Sequence, residues 1–165
     1  RSLSAELTAL YRDAGLMAAR VIISRQVIRD GELNLTVLPG TADRATVSNT
    51  APVRDDFLTS MVSAATPEGQ PVLRKQAERL SLLLNEIPGV EASISLSPGK
   101  KSGTTAVVTD VRPGRRAGGY VGLDNQGSQS TGRSRVLGGA YVNSLLGTGD
   151  QLRIDGAVGY EMAGW

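Results

Sequence analysis

The sequence predicts an α+β fold, in which helix-containing modules precede a run of antiparallel strands. Helical and strand-like segments recur in the same order across residues 2–113, and the first copy of the unit lacks its beginning. Every element beyond about residue 115 reads as a strand. The 165 residues include 20 Gly and only 4% aromatic residues, which is typical of many turns and thin strands rather than of one large core.

The first module, residues 1–40, is predicted to contain a helix and two strands. The helix has an apolar stripe at helical spacing, and Gly15 ends it. Asp30-Gly31 between the two strand-like runs is a hairpin signal. Because Arg1 opens directly into helical sequence, we expect the chain to be a fragment of a longer protein. The predicted elements cover residues 2–14, 19–27 and 32–38.

The second module, residues 41–113, is predicted to be complete. Asp55 and Asp56 lie in the first turn of its first helix, where carboxylates favour the positive end of the helix dipole. A longer helix follows, and Pro88-Gly89 ends it. Two helices on one face of a three-stranded sheet form a compact two-layer domain. The predicted strand, two helices and two strands cover residues 45–49, 55–65, 72–86, 90–96 and 104–111.

Residues 114–165 are predicted to form a linker and an incomplete set of strands. Residues 112–119 are basic and rich in glycine, and the composition changes at about residue 115, where we place a domain boundary. The last two strands are about ten residues long, the length that a tilted strand needs to cross a bilayer. The predicted strands cover residues 120–124, 133–143 and 151–160.

The last strand alternates between apolar and polar side chains. A period of two residues predicts a strand with one apolar face and one wet face. A soluble antiparallel sheet alternates in the same way, so the pattern alone leaves both a membrane and an aqueous setting open. The apolar face consists of Leu152, Ile154, Val158, Tyr160 and Met162, and the polar face of Gln151, Arg153 and Asp155.

The composition argues against several classes of function. The formal net charge is +2 and no basic run is interleaved with aromatic residues, so we predict no binding to nucleic acid. The chain has no Cys and no His, which excludes disulfides, thiolate metal sites and the Ser/His and Cys/His catalytic arrangements within it. No carboxylate pair is expected to converge for general acid–base catalysis. We therefore predict no enzyme activity, no catalytic residue, no metal site and no cofactor.

The glycine-rich segment Gly147-Thr148-Gly149 invites comparison with a phosphate-binding loop. It lacks the Gly-Lys-Ser/Thr ending of such loops, and no helix is predicted after it. We interpret it as a tight turn between two strands.

Several segments together resemble one protein family. The first module fits that family through scattered positions, and the other segments follow in family order over essentially the whole chain. The family is that of the outer-membrane transporters of two-partner secretion, which export haemolysin and filamentous haemagglutinin. The segments are Glu78–Val90, Leu96-Ser97-Pro98-Gly99 with Ser102-Gly103-Thr104, Gly122–Ser128 with Thr131-Gly132-Arg133, and, in the first module, Tyr11, Gly15, Gln26, Gly31 and Gly40.

The resemblance implies two periplasmic POTRA domains, which are strand-helix-helix-strand-strand modules, followed by a sixteen-stranded membrane barrel. The chain would carry the C-terminal part of the first POTRA, the whole second POTRA with its mixed sheet, and the first strands of a transmembrane β-barrel. Residues 1–113 would be periplasmic, and the rest would belong to the outer membrane. The apolar face of the last strand would then contact outer-membrane lipid, and its polar face would line a wet lumen.

The resemblance also implies a partner and a place to bind it. The partner would be an unfolded secreted protein of the haemolysin or adhesin type, delivered to the barrel pore without ATP. The family fold implies that the strand after the second long helix lies outermost, where unpaired N–H and C=O groups could pair with an extended client. The alternative is an edge that is merely tolerated or covered by the neighbouring module. The predicted client-binding residues are Glu91, Ala92, Ser93, Ile94, Ser95 and Leu96.

Two further interpretations stay open at this point. Lys100-Lys101 reads as a solvated loop tip, with contact to an acidic client as the alternative. The whole chain could belong to a barrel-assembly factor of the same superfamily, or to a soluble peptide-binding scaffold whose last strands complete a small sandwich. The Leu123-Asp124-Asn125 segment favours the exporter.

Overall fold

A computed structural model describes residues 3–27, 31–127 and 133–160, without the side chain of Tyr160. Within these residues the chain forms three helices and three separate sheets. Helices α1 to α3 span Leu3–Asp13, Asp55–Ala65 and Arg74–Asn85. Strands β1 to β9 span Arg20–Ile22, Thr36–Leu38, Thr41–Ala42, Thr46–Asn49, Val90–Pro98, Thr104–Pro113, Ala117–Asp124, Ser134–Asn143 and Gln151–Tyr160.

The first module consists of α1 and a short antiparallel pair, β1 and β2. Both strands have three residues and are much shorter than the predicted runs. Beyond them a side chain takes over the pairing, because Gln26 donates to the Asn34 carbonyl at 2.7 Å and accepts from the Asn34 N–H at 2.9 Å. An amide side chain that satisfies both backbone groups stands in for one step of the strand ladder. Asp30 of the predicted hairpin turn lies outside the described residues.

The sheet of the second module is built around β6. Strands β3 and β4 pair with it in parallel on one side, and β5 pairs with it antiparallel on the other. The sequence did not predict β3, whose two residues were interpreted as a break. That strand exists through its pairing with Thr104 and Thr105 and through its contact with Gln70, whose carbonyl accepts from the Ala42 N–H at 2.7 Å. Such long-range pairing leaves no periodic signal in a two-residue segment.

Helices α2 and α3 cover one face of this sheet and enclose the core. The side chains of Leu58, Leu80, Leu84 and Val111 are at most 1% exposed. Burying side chains of this size stabilises a fold by about 1.5–3 kcal/mol each. Helix α2 begins and ends at the predicted positions, whereas α3 begins at Arg74, two residues later than predicted.

The late start of α3 has a physical cause, because the segment before it is extended and joins the two modules. Pro71 bridges to Thr41, and Leu73 bridges to Leu16 of the first module. The Arg74 N–H donates to the Gly15 carbonyl at 2.8 Å. These contacts fix the first module against the start of α3.

The third sheet contains β7, β8 and β9, which pair consecutively and antiparallel. Strand β7 begins at Ala117, three residues before the predicted start, so the connector between β6 and β7 comprises only residues 114–116. None of the helices in the described part of the chain is long and apolar enough to cross a membrane.

Candidate client-binding edge and its joint to the strand sheet

Strand β5 lies at an edge of the second module's sheet, as predicted. It pairs with β6 over its whole length, from Val90 opposite Pro113 to Pro98 opposite Thr105, and the described residues place no strand on its other side. Ala92, Ile94 and Leu96 are half-buried against the helices, and Glu91, Ser93 and Ser95 are exposed on the opposite face. Strand β4 is the opposite edge but has only four residues.

The direction of the backbone groups of β5 follows from its partner. The carbonyls of Thr105 and Val111 accept hydrogen bonds from the Asp43 N–H at 2.8 Å and from the Thr50 N–H at 2.9 Å. The backbone N–H and C=O groups of the odd-numbered residues of β6 therefore point towards β3 and β4. Antiparallel strands alternate between hydrogen-bonded and non-bonded pairs. Within the predicted client-binding stretch, residues 91–96, the residues opposite odd-numbered partners are Ala92, Ile94 and Leu96. They therefore direct their N–H and C=O groups outward.

Asn85 at the end of α3 covers the first of these outward positions. Its Oδ1 accepts from the Ala92 N–H at 3.0 Å, and its Nδ2 donates to the Ala92 carbonyl at 2.9 Å. The outward groups of Ile94 and Leu96 have no such partner among the described residues, and we call them the open edge. The role of Asn85 was not predicted from the sequence, although an Asn shortly before a Pro-Gly stop often satisfies local backbone groups.

The polar face of the third sheet carries a side-chain network. Tyr120 donates to Asp155 at 2.7 Å, Arg153 pairs with Asp155 at 2.7 Å, and the Arg153 guanidinium lies 5.6 Å from the Tyr120 ring centre. Asp124 accepts two hydrogen bonds of 2.8 Å from Arg135. The sequence placed Arg153 and Asp155 on this face but missed their partners, which only the strand register brings together.

The opposite face of the third sheet is apolar and exposed. Leu152, Ile154 and Val158 share this face, as predicted, and strands β7 and β8 extend it with Val121, Leu123 and Val136. Val121 is 81% exposed, and the described residues provide no cover for it. Met162 and the side chain of Tyr160, which were predicted for the same face, lie outside what the structure describes. On the polar face, at the start of β9, Gln151 donates a hydrogen bond from Nε2 to Asn143 Oδ1 at 2.8 Å.

The turn between β8 and β9 docks on the second module. We call the contact of residues 143–150 with Arg54, Pro88-Gly89 and the connector the joint. Ser144 is 3% exposed and donates to the Pro88 carbonyl at 2.6 Å. Asn143 donates from Nδ2 to the Arg115 carbonyl at 2.7 Å, and the Gly147 carbonyl accepts from the Arg54 N–H at 2.9 Å.

The backbone of this turn is adapted to the contact. Ser144 has a φ of 52°, in the left-handed region that a residue with a side chain rarely adopts. Gly149 also has a positive φ, and a Cβ there would lie 2.6 Å from Ile87. The segment is a tight turn between strands, as interpreted from the sequence, and β9 follows it directly.

Two family descriptions match separate parts of the chain. Residues 1–40 match the ShlB-type POTRA domain. Residues 103–161 match the haemolysin secretion/activation protein family ShlB/FhaC/HecB. The two segments lie in the order that the resemblance implied, with residues 41–102 of the second module between them.

Individual proteins match over most of the chain. The heme/hemopexin transporter protein HuxB of Haemophilus influenzae is 30% identical over 154 residues, 93% of this chain and 27% of the relative. The outer membrane transporter CdiB of Dickeya dadantii is 26% identical over 141 residues, 86% of this chain and 24% of the relative. The solved structure of CdiB from Escherichia coli matches with a TM-score of 0.73 at 25% identity, covering 93% of this chain and 28% of that one.

These matches agree with one another in fold and in family. The chain spans about a quarter of the length of the relatives that it matches. HuxB is a transporter protein and CdiB is an outer membrane transporter. The matched region of this chain includes a ShlB-type POTRA domain and a segment of the ShlB/FhaC/HecB family. The chain therefore belongs to the outer-membrane transporters of two-partner secretion.

Proposed function

We propose that this chain is the part of a protein exporter that captures an unfolded secreted partner in the periplasm and delivers it to the barrel pore without ATP. The observation that carries this proposal is the open edge of β5, in a module on which the β8–β9 turn of the third sheet docks directly. The family's role in secretion supports it. The residues of this chain give no support to an enzymatic function.

The chemistry of the open edge suits an unfolded client. An extended polypeptide has few fixed side-chain surfaces, but every residue except proline offers a backbone donor and an acceptor. Pairing at Ile94 and Leu96 adds up to four backbone hydrogen bonds. At about 1 kcal/mol each, they contribute about 4 kcal/mol, which corresponds to a dissociation constant in the millimolar range. Binding this weak releases its client without an energy source.

The third sheet is proposed to enter the outer membrane. Leu152, Ile154 and Val158 would contact lipid together with the neighbouring apolar residues of β7 and β8, while Arg153 and Asp155 would line the lumen. The large exposed apolar face supports this orientation, because a soluble protein rarely leaves such a surface uncovered. The paired charges of the polar face support it too, because they suit a wet interior.

A proline at the open edge tests client capture. Ile94→Pro removes an outward N–H without removing a donor to β6. Purified full-length transporter is mixed with a labelled, permanently unfolded protein, such as reduced and carboxymethylated lactalbumin. We expect roughly five-fold weaker binding, the value of one lost hydrogen bond. Secretion of the exported partner should fall in parallel.

The control separates the backbone effect from lost packing. Ile94→Ala removes the same half-buried side chain but keeps the N–H, so it should bind the unfolded probe as the wild type does. Equal binding by the Pro and Ala variants, with equal amounts of folded transporter in the outer membrane, would refute capture at this edge. An unchanged export of partner but a defect in assembling other barrels would favour an assembly factor instead.

A further inference from the structure

A cleft of about 420 Å³ lies where the first module meets the loop between β5 and β6. Met17 and Leu38 line it from the first module, and Leu96 and Pro98 line it from β5. We call it the basic cleft, because the charged side chains that line it are Arg12, Arg20, Lys100 and Lys101.

The cations of the basic cleft have no ion-pair partner in the described part of the chain. All four side chains are exposed, and the salt bridges within the described residues lie elsewhere. The carboxylate that interacts with the two lysines is Asp43, whose oxygens accept from the N–H groups of Lys100 and Arg44 at 2.9 Å. No carboxylate lines the cleft itself in the described residues, so the cleft has an excess of positive charge.

The basic cleft adjoins one end of the open edge. Leu96 both lines the cleft and holds the last outward N–H of β5. The next outward position belongs to Pro98, which has no N–H to donate. A client strand paired along β5 therefore meets no backbone donor at Pro98, and its next residues, at about 3.3 Å each, lie beside the basic cleft.

We propose that the basic cleft binds an acidic extended segment of the exported partner, next to the stretch that pairs with Ile94 and Leu96. The inference rests on the proposed function and adds the chemistry of the client, which is a short strand-forming stretch flanked by several Asp or Glu residues. Contacts between exposed charges are weak and weaken further with salt. The cleft therefore gives the otherwise sequence-independent edge a preference for one kind of client.

Two short peptides test the inference on the full-length transporter. Both carry the same alternating valine–threonine stretch; one ends in a run of aspartate and the other in a run of asparagine. Fluorescence anisotropy at low salt should show the aspartate peptide binding about ten-fold tighter, and near-physiological salt should reduce the difference. The double variant Lys100→Gln/Lys101→Gln should lose most of this preference while binding the asparagine peptide unchanged.

A matched control and a second variant separate the possible failures. Lys75→Gln/Arg79→Gln removes the same charge from an exposed face of α3 outside the cleft and should keep the preference. If Ile94→Pro weakens both peptides but the cleft variant changes neither, the cleft inference is wrong and the edge stands. If Ile94→Pro changes neither peptide, the proposed function fails. Displacement of the aspartate peptide by inorganic phosphate alone, or tighter binding of a single-stranded oligonucleotide, would overturn the peptide assignment.

Discussion

Asn85 determines how much of strand β5 is available to a partner. Its side chain occupies both outward groups of Ala92 and also donates to the Ser81 carbonyl at 2.8 Å. Proteins commonly protect edge strands from unwanted pairing, and here one amide protects a single position and leaves the next two uncovered. The open edge is thus bounded on one side by Asn85 and on the other by Pro98.

Replacing Asn85 should therefore lengthen the open edge. We expect Asn85→Ala to lower the free energy of unfolding by about 1–2 kcal/mol, because two hydrogen bonds to Ala92 are lost. The same variant should bind an unfolded protein probe several-fold tighter, since a third outward position becomes available. Chemical unfolding and fluorescence anisotropy measure the two effects. Asn85→Asp, which keeps an acceptor for the Ala92 N–H, should give an intermediate result, and weaker probe binding by Asn85→Ala would contradict this role.

At the scale of the elements, the third sheet depends on a glycine between two interacting side chains. Gly139 lies opposite both Tyr120 and Asp155 in the strand register. A Cβ at this position would lie 2.3 Å from Asp155 Oδ1 and 2.7 Å from the Tyr120 ring. Because Gly139 has no Cβ, the hydrogen bond from Tyr120 to Asp155 can form across the middle strand.

Gly139→Ala should therefore disrupt this network and lower the yield of folded transporter. Gly156→Ala is the matched control, because a Cβ there meets no atom within 4 Å. Strands ordinarily gain stability when alanine replaces glycine, so the control should be neutral or slightly favourable. The folded fraction of the full-length transporter, read from its heat-dependent mobility on gels, distinguishes the two. Equal folded fractions would argue against the close fit at Gly139.

The segment between β3 and β4 is tied to the loop after β5 through a carboxylate. Hydrogen bonds to Asp43, first from the Lys100 N–H and then from the Arg44 N–H, hold its pKa below the ordinary value of 3.8. A lowered folded-state pKa contributes stability that is present above the unfolded-state pKa and is lost as the pH falls through the folded value. We expect wild type to unfold at a higher temperature than Asp43→Asn at neutral pH. This difference should shrink below about pH 4, and a difference independent of pH would refute the contribution.

The elements differ in how well the sequence predicts them. Helix α2 and strand β9 have long, regular patterns, and the predicted bounds match the structure. The bounds of strand β3 and of the short β1–β2 pair were not predicted. Strands of two or three residues depend on distant partners or on a side chain such as that of Gln26. The edge position of β5 was predicted through the family resemblance. Which of its residues are open was not, because this depends on the register with β6 and on Asn85.

For the whole molecule, the joint connects the second module to the third sheet through three separate segments. Contacts from Arg54, Pro88 and Arg115 converge on the turn between β8 and β9. Three such attachment points restrict rotation far more than the three-residue connector would alone. The second module and the β8–β9 hairpin are expected to move together.

Loosening the joint should widen the range of module orientations. Ser144→Ala removes the hydrogen bond to Pro88 yet leaves the left-handed backbone, so we expect it to cost about 1–3 kcal/mol at this contact. Spin labels at Thr59 and Asn125, both exposed, report the distance between the module and the far end of β7. The distance distribution of the full-length transporter should be broader in Ser144→Ala than in wild type. In Ser144→Gly the relief of backbone strain offsets part of the lost hydrogen bond, so its distance distribution should be less broad than that of Ser144→Ala. An equally narrow distribution in all three proteins would contradict the rigidity of the joint.

Strand β5 joins two parts of the molecule that lie at its opposite ends. Its last residues line the basic cleft, and its first residue, Val90, directly follows the Pro88-Gly89 segment held by Ser144. The four residue steps from Ile94 to Val90 span about 13 Å at the usual rise of a strand. Strand β5 therefore runs from the basic cleft to the joint. Under the proposed function a paired client would lie between these two places, and Asn85 would stop it two residues before Val90.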